Sequence, residues 1–292
     1  MFAIIGIVAV FGAILAGYMM EHGKLLVLMQ PAELVIIGGA ALGTLLIANP
    51  LSILIAIVKG LIGAFLPGRF SKAFYLENLK MLSDVFVHAR KNGMIKLEAD
   101  VEAPQKSPIL AKYPKFLKNH HAVAFFCDTI RMAITGGITP FDIDQLMEID
   151  IEVHHQETNA PVAAITTMAD ALPGLGIVAA VLGVVITMGA LGGPPEEIGH
   201  KVAAALVGTF LGILLCYGLF APLASNLGKQ NEAEAQYYQF LRAGLMAFIR
   251  GAAPILSVEF ARRTIPHGCR PSFQEMERTC KGGAASADAV AA

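Results

Sequence analysis

The chain has 292 residues and a formal net charge of -1, with a sequence pI near 6.7, a balance that carries no nucleic-acid signal. Apolar residues make up 55% and charged residues 15%, at a mean hydropathy of +0.60, whereas a soluble domain carries about 25% charge. That composition excludes an ordinary soluble globular domain and points to a membrane.

The charges are also segregated. Uncharged runs cover 1–20, 34–58, 171–195 and 202–228, and each reaches the ~20 residues that cross a bilayer as a helix. They predict an all-α polytopic membrane protein with four transmembrane helices. The connections are a periplasmic loop over 21–33, a large helical cytoplasmic domain over 59–170, a second periplasmic loop over 196–201 and a cytoplasmic C-terminal region over 229–292. Lys24 and Lys201 lie in the short loops, and the remaining Lys and Arg residues lie in the long loop and the tail. Lys59, Arg69, Lys72 and Lys229, close to span ends, therefore place both termini and the large loop in the cytoplasm.

The first run has no basic n-region and no Ala-x-Ala exit, so it reads as a span and not as a cleavable signal. The second holds Gly39 and Gly43, a GxxxG face for close helix packing, and Asn49-Pro50 late in its length. In the cytoplasmic domain, apolar residues from Phe70 to Phe86 recur at threes and fours and stop at Asn92-Gly93. Around that stop lie Arg90, Lys91, Lys96, Glu98, Asp100 and Glu102. Spacing alone reads this cluster as a solvated surface, and a docking face for a charged partner is the sharper alternative. A second helix covers Ala122 to Ala133. A third starts with Thr139 as cap and Pro140 in its first turn, and runs toward His154-His155. Those histidines point about 100° apart on a helix and have no accompanying ligand cluster, which favours a surface or packing role. The four cysteines form no CxxC pair, so neither disulfides nor zinc are indicated.

Asp170 stands just before the third span. Pro173 near the start of that span removes a backbone donor, and the freed carbonyl marks a hinge or an ion-access point. Gly174, Gly176, Gly183 and Gly189 recur through it. In the fourth span Ala204, Gly208 and Gly212 form a small-residue seam. Thr209 lies beside the seam, as a backbone-bonded core threonine or as a hydroxyl offered to an ion or water. Pro222 is expected to break that helix near its cytoplasmic end. Beyond it the helix continues through Phe248, and the tail after Gly282 is low in complexity.

No Asp, Glu, Lys, Arg or His falls inside the four predicted spans. Ion movement through a membrane normally needs an ionisable group at depth. Either the chain does not conduct, or a partner helix supplies the carboxylate. No nucleophile and base pair, phosphate loop or metal spacing argues for an enzyme.

Several segments resemble one family in order along the chain: EHGKLLVLMQPAELVIIGGAALG (21–43), FDIDQLMEIDIEVHH (141–155), MADALPGLGIVAAVLGVVITMGAL (168–191) and RPSFQEME (270–277). They are similar to the flagellar motor stator proteins of the MotA type, within the MotA/TolQ/ExbB proton channel superfamily. The resemblance implies a pentamer in the bacterial inner membrane around two copies of MotB, whose single span carries the ion-binding aspartate and whose periplasmic domain grips peptidoglycan. It implies no cofactor, protons as the transported ion and no enzymatic activity. Pro173 and Pro222 match the family's torque-coupling prolines, and Arg90 and Glu98 match the charges that engage the rotor protein FliG. Asp170, Ala180 and Thr209 match positions near the ion path, and Ala180 stands where sodium-driven relatives carry a hydroxyl. Two rivals are a TolQ/ExbB-like energiser of outer-membrane processes and a non-conducting membrane scaffold.

Overall fold

A computed structural model describes residues 2–66, 68–189 and 192–281, and among them the chain is helical with no strand. The predicted low-complexity tail lies outside the described residues. The chain divides into two compact units, one from Met1–Pro67 and Glu157–Asn231, the other from Gly68–Gln156 and Glu232–Ala292.

Among the described residues four helical stretches are long and apolar enough to cross a membrane: Phe2–Met20, Leu25–Ala48, Pro140–Met188 and Pro195–Ile249. Phe2, Val35, Ile47 and Ile186 stand exposed on them, a burden that lipid or a neighbouring apolar helix relieves.

Three boundaries differ from the expectation. The second predicted span is two helices, Pro31–Ala48 and Leu51–Ala64. Pro50 forces Asn49 into extended backbone (φ -132°, ψ 142°), because the proline ring clashes with a helical predecessor. Asn49 then closes the first helix, its backbone N–H and its Nδ2 both donating to the Leu45 carbonyl at 3.1 and 3.0 Å.

The helix expected from Thr139 and the third span are one continuous helix, Pro140–Met188, with Pro161 and Pro173 inside it. Its start is held reciprocally. Thr139 N–H donates to the Asp142 carboxylate at 3.2 Å and Asp142 N–H donates to Thr139 Oγ1 at 3.2 Å, which satisfies donors with no partner within the helix. Near Pro161, Asn231 Nδ2 donates to the Thr158 carbonyl at 2.6 Å, supplying a bond from another helix where the proline weakens the ladder.

Pro222 does not break its helix. Cys216–Phe220 form one π turn and Ala221–Ile249 continue. A π turn takes one extra residue per turn, so the missing proline donor is absorbed without a stop.

In the second unit the helix Lys72–Asn92 is capped by Ser71, whose side chain accepts from Phe74 N–H, and ends at Gly93 with φ 88°. That value lies in the left-handed region which glycine enters without a Cβ clash. Phe86 stacks on Phe248 at 4.4 Å, and Tyr237 Oη donates to Asn78 Oδ1 at 2.7 Å inside the core. His154 packs against His121 at 4.2 Å and Tyr238 at 4.9 Å, and its Nε2 lies 3.9 Å from Glu234 Oε1.

The tail motif is structural. Lys72 Nζ pairs with Glu275 at 2.7 Å, and Ser272 N–H donates to the same carboxylate at 2.7 Å. The Lys72 ammonium, followed by the Ser272 N–H, lowers the Glu275 carboxyl to about 2. A depressed carboxylate contributes to docking above its ordinary value near 4.5 and loses that contribution as pH falls toward 2. Amide hydrogen exchange across the helix Phe273–Lys281, corrected for its intrinsic pH dependence, is therefore expected to be flat from about pH 5 to 8 and to speed up below about pH 4. In Glu275→Gln it is already faster from about pH 5 to 8, and an unchanged rate there rules out the pinning role.

Candidate functional site

The helices Pro140–Met188 and Pro195–Leu215 touch along residues too small to hold them apart. A Cβ added at Gly176 would lie 2.8 Å from the Gly208 carbonyl oxygen, 3.1 Å from Gly212 Cα and 3.3 Å from Thr209 Cα. One at Gly183 would lie 2.7 Å from Ala205 Cβ, and one at Gly212 would lie 2.6 Å from the Leu172 carbonyl oxygen. The seam on the fourth span is thus an internal joint of the chain. Gly38, Gly39 and Gly43 differ, since a Cβ at each meets nothing within 4 Å.

This joint gathers part of the predicted site. Pro173 follows Leu172, whose carbonyl meets Gly212, so the proline lies at a point of close contact. Ala180 N lies 3.2 Å from where a Gly208 Cβ would stand, next to Thr209. Ala180 and Thr209 are both half-buried. The hydroxyls of Thr44 and Thr187 donate to carbonyls one turn back in their own helices, both at 2.8 Å. Among the described residues the Thr209 hydroxyl makes no such bond, which leaves it free to serve water or an ion.

Asp170 is exposed, one turn before Pro173. Pro222 is exposed, ten residues beyond Gly212, or ~15 Å along a helix. Arg90 and Glu98 belong to the other unit, where both are exposed.

One residue of the site was missed. Glu33, assigned to the first periplasmic loop, lies in the first turn of the helix Pro31–Ala48 and is 6% exposed. Its Oε2 is buried without a hydrogen-bond partner among the described residues, and it occupies the space beside Gly208, 2.5 Å from where a Cβ would be. The expectation of spans empty of ionisable groups is corrected accordingly. The signal was present: Pro31 opens an apolar run, and proline favours the first helical position, which puts Glu33 inside the helix.

Four apolar helices, a glycine and alanine joint and a hydroxyl and a carboxyl brought to it define a polytopic helical membrane protein with a polar site in its span region. Comparison with known proteins narrows that class. Residues 4–93 match the motility protein A N-terminal domain, and residues 117–239 match the MotA/TolQ/ExbB proton channel family. Motility protein A of Escherichia coli (strain K12) is 39% identical over 277 residues, 95% of this chain and 94% of its own. That of Salmonella typhimurium is 38% identical over the same shares. Among solved structures, MotAB of C. jejuni superposes with a TM-score of 0.74 at 19% identity, covering 91% of this chain and 95% of its own. The MotAB stator complex of Bacillus subtilis gives 0.70 at 25% identity, covering 88% and 92%. The chain belongs to the MotA/TolQ/ExbB proton channel family, and within it is a flagellar stator subunit of the motility protein A type.

Proposed function

We propose that this subunit assembles with a MotB-type partner and lets protons through the joint of its third and fourth spans, converting their flow into torque. The observation that carries the reading is the Thr209 hydroxyl, unbonded within its helix among the described residues and one residue on from Gly208, where the third span makes its close approach at Ala180. The solved relatives of this fold are MotAB complexes, and a partner's span carrying an aspartate would face that hydroxyl. Protonation of the partner's carboxylate neutralises a charge in an apolar place, and its release restores it, so the packing that this chain prefers alternates with proton occupancy. Each charge crossing 100 mV releases about 2.3 kcal/mol, which small repacking steps around Pro173 and Pro222 can use. Ala180 offers no hydroxyl to sodium, which favours protons. In this reading the subunit is one of five in the inner membrane, its termini are cytoplasmic, and Arg90 and Glu98 face FliG.

Deleting the gene is expected to leave cells that carry filaments of normal number but do not swim. Swimming cells, or cells without filaments, would contradict the torque-generating role, and sodium-dependent swimming at fixed pH would overturn the proton assignment.

A further inference from the structure

Among the described residues, Glu33 is the one buried charged side chain of the membrane unit. It opens the helix Pro31–Ala48, and its carboxylate Oε2 fills the gap left by the missing Cβ of Gly208, with Ala179 and Ala180 beside the same point and Thr209 one residue on. Among the described residues that oxygen has no donor. A buried acceptor without a donor is costly, and a charge there more so, so the site is completed by what brings a donor and removes the charge, namely a proton.

The stretches packed around it offer no competing partner. Residues 171–189 and 202–215 hold no titratable side chain. The titratable residues flanking those stretches are Asp170 on one helix and Glu196, Glu197, His200 and Lys201 at the start of the other, with Cys216 and Tyr217 beyond. Glu197 is already paired with Lys201 at 2.8 Å. Glu21, His22 and Lys24 lie in the turn that precedes the helix.

We propose that Glu33 is a proton-accepting group of this chain on the ion path, upstream of the Thr209 hydroxyl. This rests on the proton-conducting reading given above. Oε2 takes a proton from a hydronium ion, releasing water, and that O–H bond breaks again when the proton passes to a water on the Thr209 side. Glu33 ends unchanged. Its effect is greatest where protons are scarce, because it gathers them at the mouth of the path.

The test is proton influx into liposomes holding the complete complex with its partner, read with a trapped pH dye at fixed membrane potential. Glu33→Gln keeps the shape of the side chain, and is expected to lower influx about fivefold at an external pH of ~8 and by less than about twofold at ~6. Glu33→Asp keeps a carboxyl and is expected to retain the wild-type pH profile, even at lower amplitude. A Gln variant with wild-type rates at both pH values, or with the same fractional loss at both, overturns the proposal, since a packing role alone moves the amplitude and not the profile. Wild-type complexes that pass no protons would instead overturn the conducting role on which the proposal rests.

Discussion

Gly212→Ala is expected to disable the protein. The new Cβ would sit 2.6 Å from the Leu172 carbonyl oxygen, 2.9 Å from Gly176 Cα and 3.1 Å from Gly176 N. All three are backbone atoms, so no rotamer change makes room. Two effects compete. Alanine favours a helix over glycine by about 1 kcal/mol, whereas overpacking costs about 1–3 kcal/mol and here forces the helices apart. The second wins, and the displacement falls on the residue before Pro173 and one turn of helix from Thr209. Swimming is expected to be lost, and the thermal midpoint of the detergent-solubilised complex to fall by several degrees. Gly12→Ala is the control, because a Cβ there meets nothing within 4 Å. Equal behaviour of the two variants would show that the joint is not the close contact described.

What the sequence made legible follows from how local each signal is. Runs without charge identify spans because a bilayer tolerates few charges, and this needs no knowledge of neighbours. Caps are local as well: Thr139 and the stop at Gly93 act within four residues. Small-residue periodicity pointed to close packing but not to its partner. The Gly208 and Gly212 seam meets the third span, while Gly39 and Gly43 stay open within the chain, and the two motifs look alike on paper. Pro222 was read as a stop, which is the behaviour of proline in water. It instead lies within a continuous run, because the π turn Cys216–Phe220 absorbs the lost donor.

Glu33 shows the opposite failure. A glutamate at the edge of an apolar run reads as the last residue of a loop, since exposure is the rule for such a side chain. Its burial comes from a glycine 175 positions later that leaves room for a carboxylate. No window along the chain contains both.

Reversing Arg90 and Glu98 together, as Arg90→Glu with Glu98→Lys, is expected to abolish most of the torque while leaving the amount of protein in the membrane unchanged. Arg90 lies in the last turn of the helix Lys72–Asn92 and Glu98 begins the short helix Glu98–Glu102, with the left-handed Gly93 and one 3-10 turn between them. Their neighbours anchor this corner, for Ala89 is 3% exposed and Leu97 is 1% exposed. Both charges point outward from a fixed frame. Among the described residues neither belongs to an ion pair, whereas Glu259 is held by Arg262 at 2.7 Å and by Arg263 at 2.8 Å. Arg90 also borders a cavity of about 500 Å³ lined by Met94, Ala133 and Phe248, so a partner side chain has a recess beside the charge. Charges that stabilise nothing within the fold can be reversed at little cost to folding. At an interface, however, like charges brought face to face cost several kcal/mol. Higher salt is expected to recover part of the torque, because screening weakens repulsion between exposed groups. Wild-type torque from the double variant at both low and high ionic strength would remove Arg90 and Glu98 from the rotor-facing surface. Lost torque accompanied by lost protein would mean that the corner matters for folding and not for docking.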